Sequence, residues 1–308
     1  MPLPDDYLKY PLRRHGMDQD RYDWSILFRR KPVTWPQDAR VALWIVPLLQ
    51  WFPLNQTGKP FKAPGSLERP YPDYRYYSHR DYGNRVGIFR ILKILDRLEL
   101  KASVAMNAAV ARRYPFLVEE VNRRDYEIIA HGVDMDHLHY GGLDPKKEKA
   151  QVEEAVTTLR EISGQPVSGW LSPGRSESDN TLDLIAAEGI EYVCDWANDD
   201  LPYPIRTAHG EIHAMPHSLE IDDRLILLQY HHNEDAYAQQ LIDQFDTLYA
   251  ESENHGGRIM AITLHPWVIG HPYRVKPLER ALTHIAEHKG VWSATGAEIL
   301  DAFKKSGG

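Results

Sequence analysis

Glu127-Ile-Ile-Ala-His131-Gly-Val-Asp134-Met-Asp136-His137-Leu-His139-Tyr140 is the stretch on which the fold turns. Its apolar run, Ile128 to Ala130, has the length of one buried strand, and that strand runs out at His131 and Gly132. A glycine there lets the backbone turn as soon as the strand ends. α/β barrels and open α/β sheets keep their sites at the carboxyl ends of strands, so His131 is the first candidate site residue. Asp134, Asp136, His137 and His139 follow it as carboxylates and imidazoles able to move protons or hold a metal.

On either side of this strand the chain alternates between the two periods. Ala39 to Leu49 reads as a buried strand that delivers Gln50 and Trp51 at its carboxyl end, and residues 52 to 80 read as a long loop. Ile88, Ile91, Leu92, Leu95 and Leu98 repeat at helical spacing, Ala102 to Ala108 reads as a strand, and a helix follows near 115 to 124. Asp144-Pro145 opens a helix with the stripe Val152, Ala155, Val156, Leu159, which Gly164 closes. A strand at 168 to 172, a helix from Thr181 to Glu188 and a strand from Tyr192 to Asp195 continue the alternation.

Between 205 and 233 the pattern predicts an inserted hairpin, His213 to Pro216 with Arg224 to Tyr230, turning at Asp222-Asp223. A helix at 235 to 252, the strand Arg258 to Leu264, a helix at 275 to 288 and a strand at 291 to 293 come next. Thr295-Gly-Ala-Glu298 then starts the last helix with a capping box. Nothing divides the chain after residue 38, so 38 to 308 is expected to be one domain, with residues 1 to 37 an extension packed on it.

With 43% hydrophobic and 26% charged residues the composition is that of a globular protein, and a net charge of −8 at pI 6.0 offers no footprint for nucleic acid or an anionic membrane. A small neutral or polar substrate is the expected partner. Cys194 is the single cysteine, which excludes an intrachain disulfide and a cysteine zinc site. The amino terminus lacks a basic and apolar leader, and nowhere do about 18 apolar residues run together, so a cytoplasmic location is expected.

The strand ends gather Gln50, Asn107, His131, Ser172, Asp195, His231 and His265. His265 precedes a proline in an apolar run, where an imidazole is costly to bury unless it is bonded, which favours a working histidine. Arg175, on the loop Ser172-Pro-Gly-Arg-Ser-Glu177, is a candidate to stabilise an oxyanion. Gln50, Trp51, Asp195, Trp196 and Trp267 are candidates for holding substrate. His284 and His288 have the spacing of zinc-binding helices, but no glutamate stands between them in the HExxH manner, so they read as ordinary residues of an outer helix. Neither a phosphate-cradling glycine loop nor a GxSxG elbow occurs.

These residues resemble the polysaccharide deacetylase (NodB-homology) superfamily over roughly residues 38 to 300, in particular the branch of cofactor-independent allantoinases and intracellular peptidoglycan-deacetylase-like proteins. The marks are Asp81-Tyr-Gly-Asn-Arg85-Val-Gly, Glu127-Ile-Ile-Ala-His131-Gly, Gly169-Trp170 with Gly174-Arg175, Asp195 with Asn198-Asp-Asp-Leu-Pro-Tyr203, and Leu264-His265-Pro266. The resemblance implies a distorted (β/α) barrel of about seven parallel strands, hydrolysis of a non-peptide carbon–nitrogen bond, and a homo-oligomer. Metal-dependent members place two aspartates after the first strand and a histidine pair at i, i+4 after the third. Here Gln50-Trp51 and Met135 stand at those positions, and amide and thioether are poor zinc ligands.

The leading expectation is therefore a metal-free hydrolase of a small linear or cyclic amide, imide or ureide. Asp134, Asp136 or His131 would activate water, Arg175 would stabilise the oxyanion and His265 would protonate the leaving nitrogen. The alternative is a zinc-type N-deacetylase of an amino sugar or polysaccharide, its site rebuilt from His131, His137, His139, Asp134 and Asp136. A third is a non-catalytic barrel that binds a sugar or ureide on its tryptophans.

Overall fold

Strand β1, Val41–Leu49, is buried at all nine positions, and the rest of the sheet is built around it. The protein, seen in a computed structural model, is described over residues 19–57 and 71–307. The remaining strands are β2 (Ser103–Met106), β3 (Glu127–Ala130), β4 (Gly169–Trp170), β5 (Tyr192–Val193), β6 (Tyr203–Thr207), β7 (Gly210–Ala214), β8 (Arg258–Leu264) and β9 (Val291–Ser293). Their order is β6-β7-β5-β4-β3-β2-β1-β8, with β9 on β1. Every pairing is parallel except β6 with β7.

β1 pairs with β8 from Val41 opposite Arg258 to Pro47 opposite Leu264. Its other edge is divided: Val41 to Leu43 pair with β9, and Leu48 and Leu49 pair with β2. Among the described residues no ladder joins β7 to β8, so the sheet curls into an open, distorted (β/α) barrel with helices outside. Alternate residues of β1 face two cores. Val41, Leu43, Ile45 and Leu49 pack under the helices, while Ala42, Trp44, Val46 and Leu48 pack inside with Ala105, Ile129 and Tyr192. Burial on both faces is why these strands read as continuous apolar runs.

The helices are α1 (Tyr74–Tyr82), α2 (Ile88–Arg97), α3 (Ala108–Arg113), α4 (Pro115–Asn122), α5 (Pro145–Ser163), α6 (Thr181–Ala187), α7 (Glu234–His255), α8 (Pro266–Ile269), α9 (Pro272–Ala286) and α10 (Gly296–Lys305). α5 forms as its sequence dictates: Asp144 accepts from the Lys146 and Lys147 amides at 2.9 and 3.0 Å, Pro145 takes the first turn, and Gly164 ends it at φ 73°. The Thr295/Glu298 capping box opens α10. No described helix is long and apolar enough to cross a membrane.

Two expectations are corrected. Residues 74–80 are helix, not loop, because Asp73 caps α1 by accepting from the Tyr76 amide at 3.1 Å although the helix has no apolar stripe; residues 58–70 of the expected loop lie outside the described residues. The hairpin is β6 with β7, turning around Ala208-His209. Arg224 to Tyr230, expected as its second strand, is instead wide helical turn over Leu225–Gln229, so exposed His231 ends no strand. In the described part of the extension Trp24 is 73% exposed, while Trp35 is 1% exposed and donates to the Arg258 carbonyl at 2.9 Å. Arg21 also ties the described part of the extension to the body, forking onto Asp183 at 2.7 and 3.1 Å.

Candidate active site

β1, β3 and β8 deliver Gln50, His131 and His265 to the same end of the barrel. His131 is buried, and its Nδ1 lies 2.7 Å from the Leu171 carbonyl oxygen. A carbonyl can only accept, so Nδ1 carries the proton and Nε2 keeps its lone pair. Gln50 Nε2 stands 3.2 Å from that lone pair and donates to it, while Gln50 Oε1 accepts from Trp267 Nε1 at 3.3 Å. Burial, then the nearby His265 and Arg175 charges, lower the His131 pKa to about 4, against the bond to Leu171. The imidazole is neutral at physiological pH.

Backbone contacts fix this pair. Asn84 donates to the Gln50 carbonyl at 2.9 Å; Asn107 donates to the His131 carbonyl and accepts from the Trp51 amide at 2.8 Å. Gly132 turns at φ 67°, and a Cβ on it would lie 2.4 Å from Pro173 Cγ. Gly87 is needed for space, since a Cβ there would sit 2.0 Å from the Pro266 carbonyl oxygen beside Trp267.

His265 is held from the other side. Its backbone amide donates to Asp223 Oδ2 at 2.9 Å, and its Nδ1 donates to Asp223 Oδ1 at 2.7 Å. Asp222 Oδ1 is 3.7 Å from the same Nδ1. Among the described residues His265 Nε2 has no hydrogen-bond partner, so its lone pair is available. Arg175 donates to the His217 carbonyl at 2.7 Å and to Thr263 Oγ1 at 3.3 Å, and stands 3.8 Å from Asp222. Its bonds join the 217–223 segment to β8, so Arg175 holds the turn that orients His265. Its φ of 55° is unusual for a residue with a side chain.

Asp222, Asp223 and His217 are the site residues that sequence reasoning missed. The two aspartates read as a hairpin turn, yet they are 2% and 0% exposed. One feature pointed to them: adjacent carboxylates one residue before the apolar run Leu225 to Leu228. His217, which bonds Thr263 Oγ1 at 2.9 Å and packs on Trp44, is kept neutral by burial.

The loop after His131 is mostly occupied with itself. Asp134 Oδ1 accepts from the amides of Asp136 and His137 at 2.8 and 3.1 Å and from His137 Nδ1 at 2.7 Å. Asp136 Oδ2 accepts from the Thr57 amide and hydroxyl, each at 2.8 Å. His139 packs on Trp170 and bonds buried Glu148 at 3.1 Å. Asp195 accepts from the Ser172 amide at 2.9 and 3.2 Å. Beside it Glu177 accepts from Trp196 Nε1 at 3.1 Å; burial and the Asp195 charge raise the Glu177 pKa to about 9, so this pair of carboxyls retains a proton. Trp51 packs against Tyr77, Tyr114 and the Arg113 guanidinium.

Residues 74–193 match the family model described as polysaccharide deacetylase. That match runs from the start of α1 to the end of β5. A "putative polysaccharide deacetylase" of Schizosaccharomyces pombe is 26% identical over 253 residues, 76% of this chain and 78% of that protein. Among solved structures, a "probable polysaccharide deacetylase" of Pseudomonas aeruginosa is 28% identical at a TM-score of 0.81, over 90% of this chain and 95% of the other. The Puue allantoinase is 26% identical at a TM-score of 0.82, over 92% of this chain and 98% of the other. On these likenesses the chain is a hydrolase of carbon–nitrogen bonds other than peptide bonds.

Deacetylases of this family are generally metal-dependent, and the donor set around His131 does not fit that metal. The His131 lone pair that would face an ion already accepts from the Gln50 amide at 3.2 Å. Among the described residues two groups of three metal-competent side chains converge, Asp222-Asp223-His265 and Asp246-His284-His288; neither contains His131, His137 or Asp134.

Proposed function

We propose that this polysaccharide-deacetylase-type barrel hydrolyses a small linear or cyclic amide, imide or ureide without a metal. The observation that carries the reading is the Gln50–His131 bond, which fills the position of the family's metal ligands with an amide and a neutral imidazole. Likeness to the Puue allantoinase across nearly the whole chain supports the substrate class.

Proton transfer falls to His265. With Nδ1–H bound to Asp223, its Nε2 accepts a proton from water as the oxygen attacks the carbonyl carbon. The resulting imidazolium, stabilised by Asp223, returns that proton to the leaving nitrogen as the carbon–nitrogen bond breaks. Gln50 offers its remaining amide hydrogen to substrate or water, and the buried Arg175 charge offsets the developing oxyanion. Asp134 and Asp136, engaged in closing their loop, have no part in this scheme. Asp195, Trp196 and Trp51 are proposed to shape the substrate side of the site.

The relatives named as deacetylases favour a second reading, a divalent-metal N-deacetylase of an amino sugar. Assaying cyclic imides, ureides, simple amides and N-acetylated amino sugars, each with and without chelator, separates the two. Turnover of an imide or ureide in chelator supports the first reading. Turnover restricted to acetylated sugars and abolished by chelator supports the second, and binding without any turnover would leave a non-catalytic barrel.

A further inference from the structure

The second convergent group lies outside the barrel. His284 lies in the last turn of α9 and His288 just beyond its end, and Asp246 reaches them from α7 across the seam between the two helices. His284 Nε2 is 2.8 Å from Asp246 Oδ1, and His288 Nδ1 is 2.7 Å from the His284 carbonyl oxygen. Because that carbonyl only accepts, His288 Nδ1 is the protonated nitrogen and Nε2 keeps its lone pair. One ligand atom from each of the three residues lies within 4.8 Å of the others.

The rings are also held in place. Phe245 packs edge-on against His284 and His288, with centroids 6.0 and 4.9 Å apart, and Tyr249 packs against His288 at 5.4 Å. Two imidazoles and a carboxylate are the donors that borderline divalent cations such as zinc prefer. Side-chain exposures of 34% for His284 and 51% for Asp246 let an ion enter from solvent.

We propose that Asp246, His284 and His288 bind a zinc-type divalent cation that clasps α7 to α9. The i, i+4 histidine pair is visible in the sequence, but its carboxylate partner comes from a different helix, 38 residues earlier than His284. On binding, the His284 ring proton moves from Nε2 to Nδ1, which frees the Nε2 lone pair for the cation. The site is independent of the barrel chemistry.

Full-length protein stripped with a chelator and then freed of it is titrated with zinc alone against a chromophoric competitor. The wild type is expected to bind zinc at a site that His288→Ala and Asp246→Asn each weaken by about 10-fold or more and that His131→Ala leaves intact. Zinc should also raise the melting temperature of the wild type and not of Asp246→Asn, a surface substitution that leaves the fold in place. Zinc affinity unchanged in both His288→Ala and Asp246→Asn, or lost in His131→Ala, would overturn the proposal.

Discussion

Gln50 and His131 meet Nε2 to Nε2 at 3.2 Å, an amide hydrogen directed at the one imidazole lone pair that the third strand presents to the site. That contact decides between two chemistries. A bare lone pair beside carboxylates would hold a metal, whereas an occupied one beside an amide orders a polar substrate or water.

His265→Ala should lower kcat by about 100-fold to 10,000-fold, the range of a positioned proton donor or acceptor, with a melting curve close to the parent's. Asp223→Asn should lower kcat in the same direction with little change in KM, because the imidazole loses the carboxylate that fixes its tautomer. Steady-state kinetics on both variants check this; parental kcat in either removes that residue from the mechanism.

Glu177→Gln tests the carboxyl pair through stability. The folded Glu177 pKa is raised from 4.5 to about 9, so between those values the folded chain holds a proton that the unfolded chain has released. Stability from this group therefore falls as pH rises from about 4.5 towards 9 and is flat outside that window. Glutamine keeps the neutral shape, so the variant should match the parent near pH 4.5 and melt at least about 2 °C higher at pH 8, roughly the shift 1 kcal/mol gives a chain of this size. Parallel melting curves across the window would contradict the shared proton.

Gly87→Ala should destabilise despite the better helix propensity of alanine. Propensity favours alanine by about 1 kcal/mol, but the new Cβ would lie 2.0 Å from the Pro266 carbonyl, and overpacking costs about 1–3 kcal/mol or more. Because the strained contact lies beside Trp267, which bonds Gln50, kcat should fall with the melting temperature. Calorimetry and kinetics on the one variant report both.

The fold was largely legible in the sequence because parallel strands buried on both faces and capped amphipathic helices write strong local patterns, as β1, β3, β8, α5 and α10 do. What escaped was set by contacts distant in sequence. α1 has a cap but no stripe, and the apolar run Leu225 to Leu228 suits a buried strand as well as a helical turn. The same limit applied to the site. His131, Gln50 and His265 could be placed by their positions at strand ends. Asp223 acquires its role only from His265, 42 residues later, and no local pattern encodes that pairing.

Gln50→Asp puts a carboxylate where the family's metal-dependent members carry one. On the metal-free account it slows turnover by about 10-fold or more, since a negative charge now opposes the developing oxyanion, and it binds no catalytically useful zinc. A rise in both turnover and bound zinc would show a weakened metalloenzyme instead.

The most direct measurement is turnover of the best substrate by protein whose zinc content has been brought below about a tenth of an equivalent per chain, compared with the same protein after zinc is restored. Metal-free catalysis at the Gln50–His131 site predicts the same kcat in both samples, whatever zinc the α7–α9 seam takes up. Loss of turnover on stripping, and its return with one equivalent of zinc in the Asp246→Asn variant, would contradict the account.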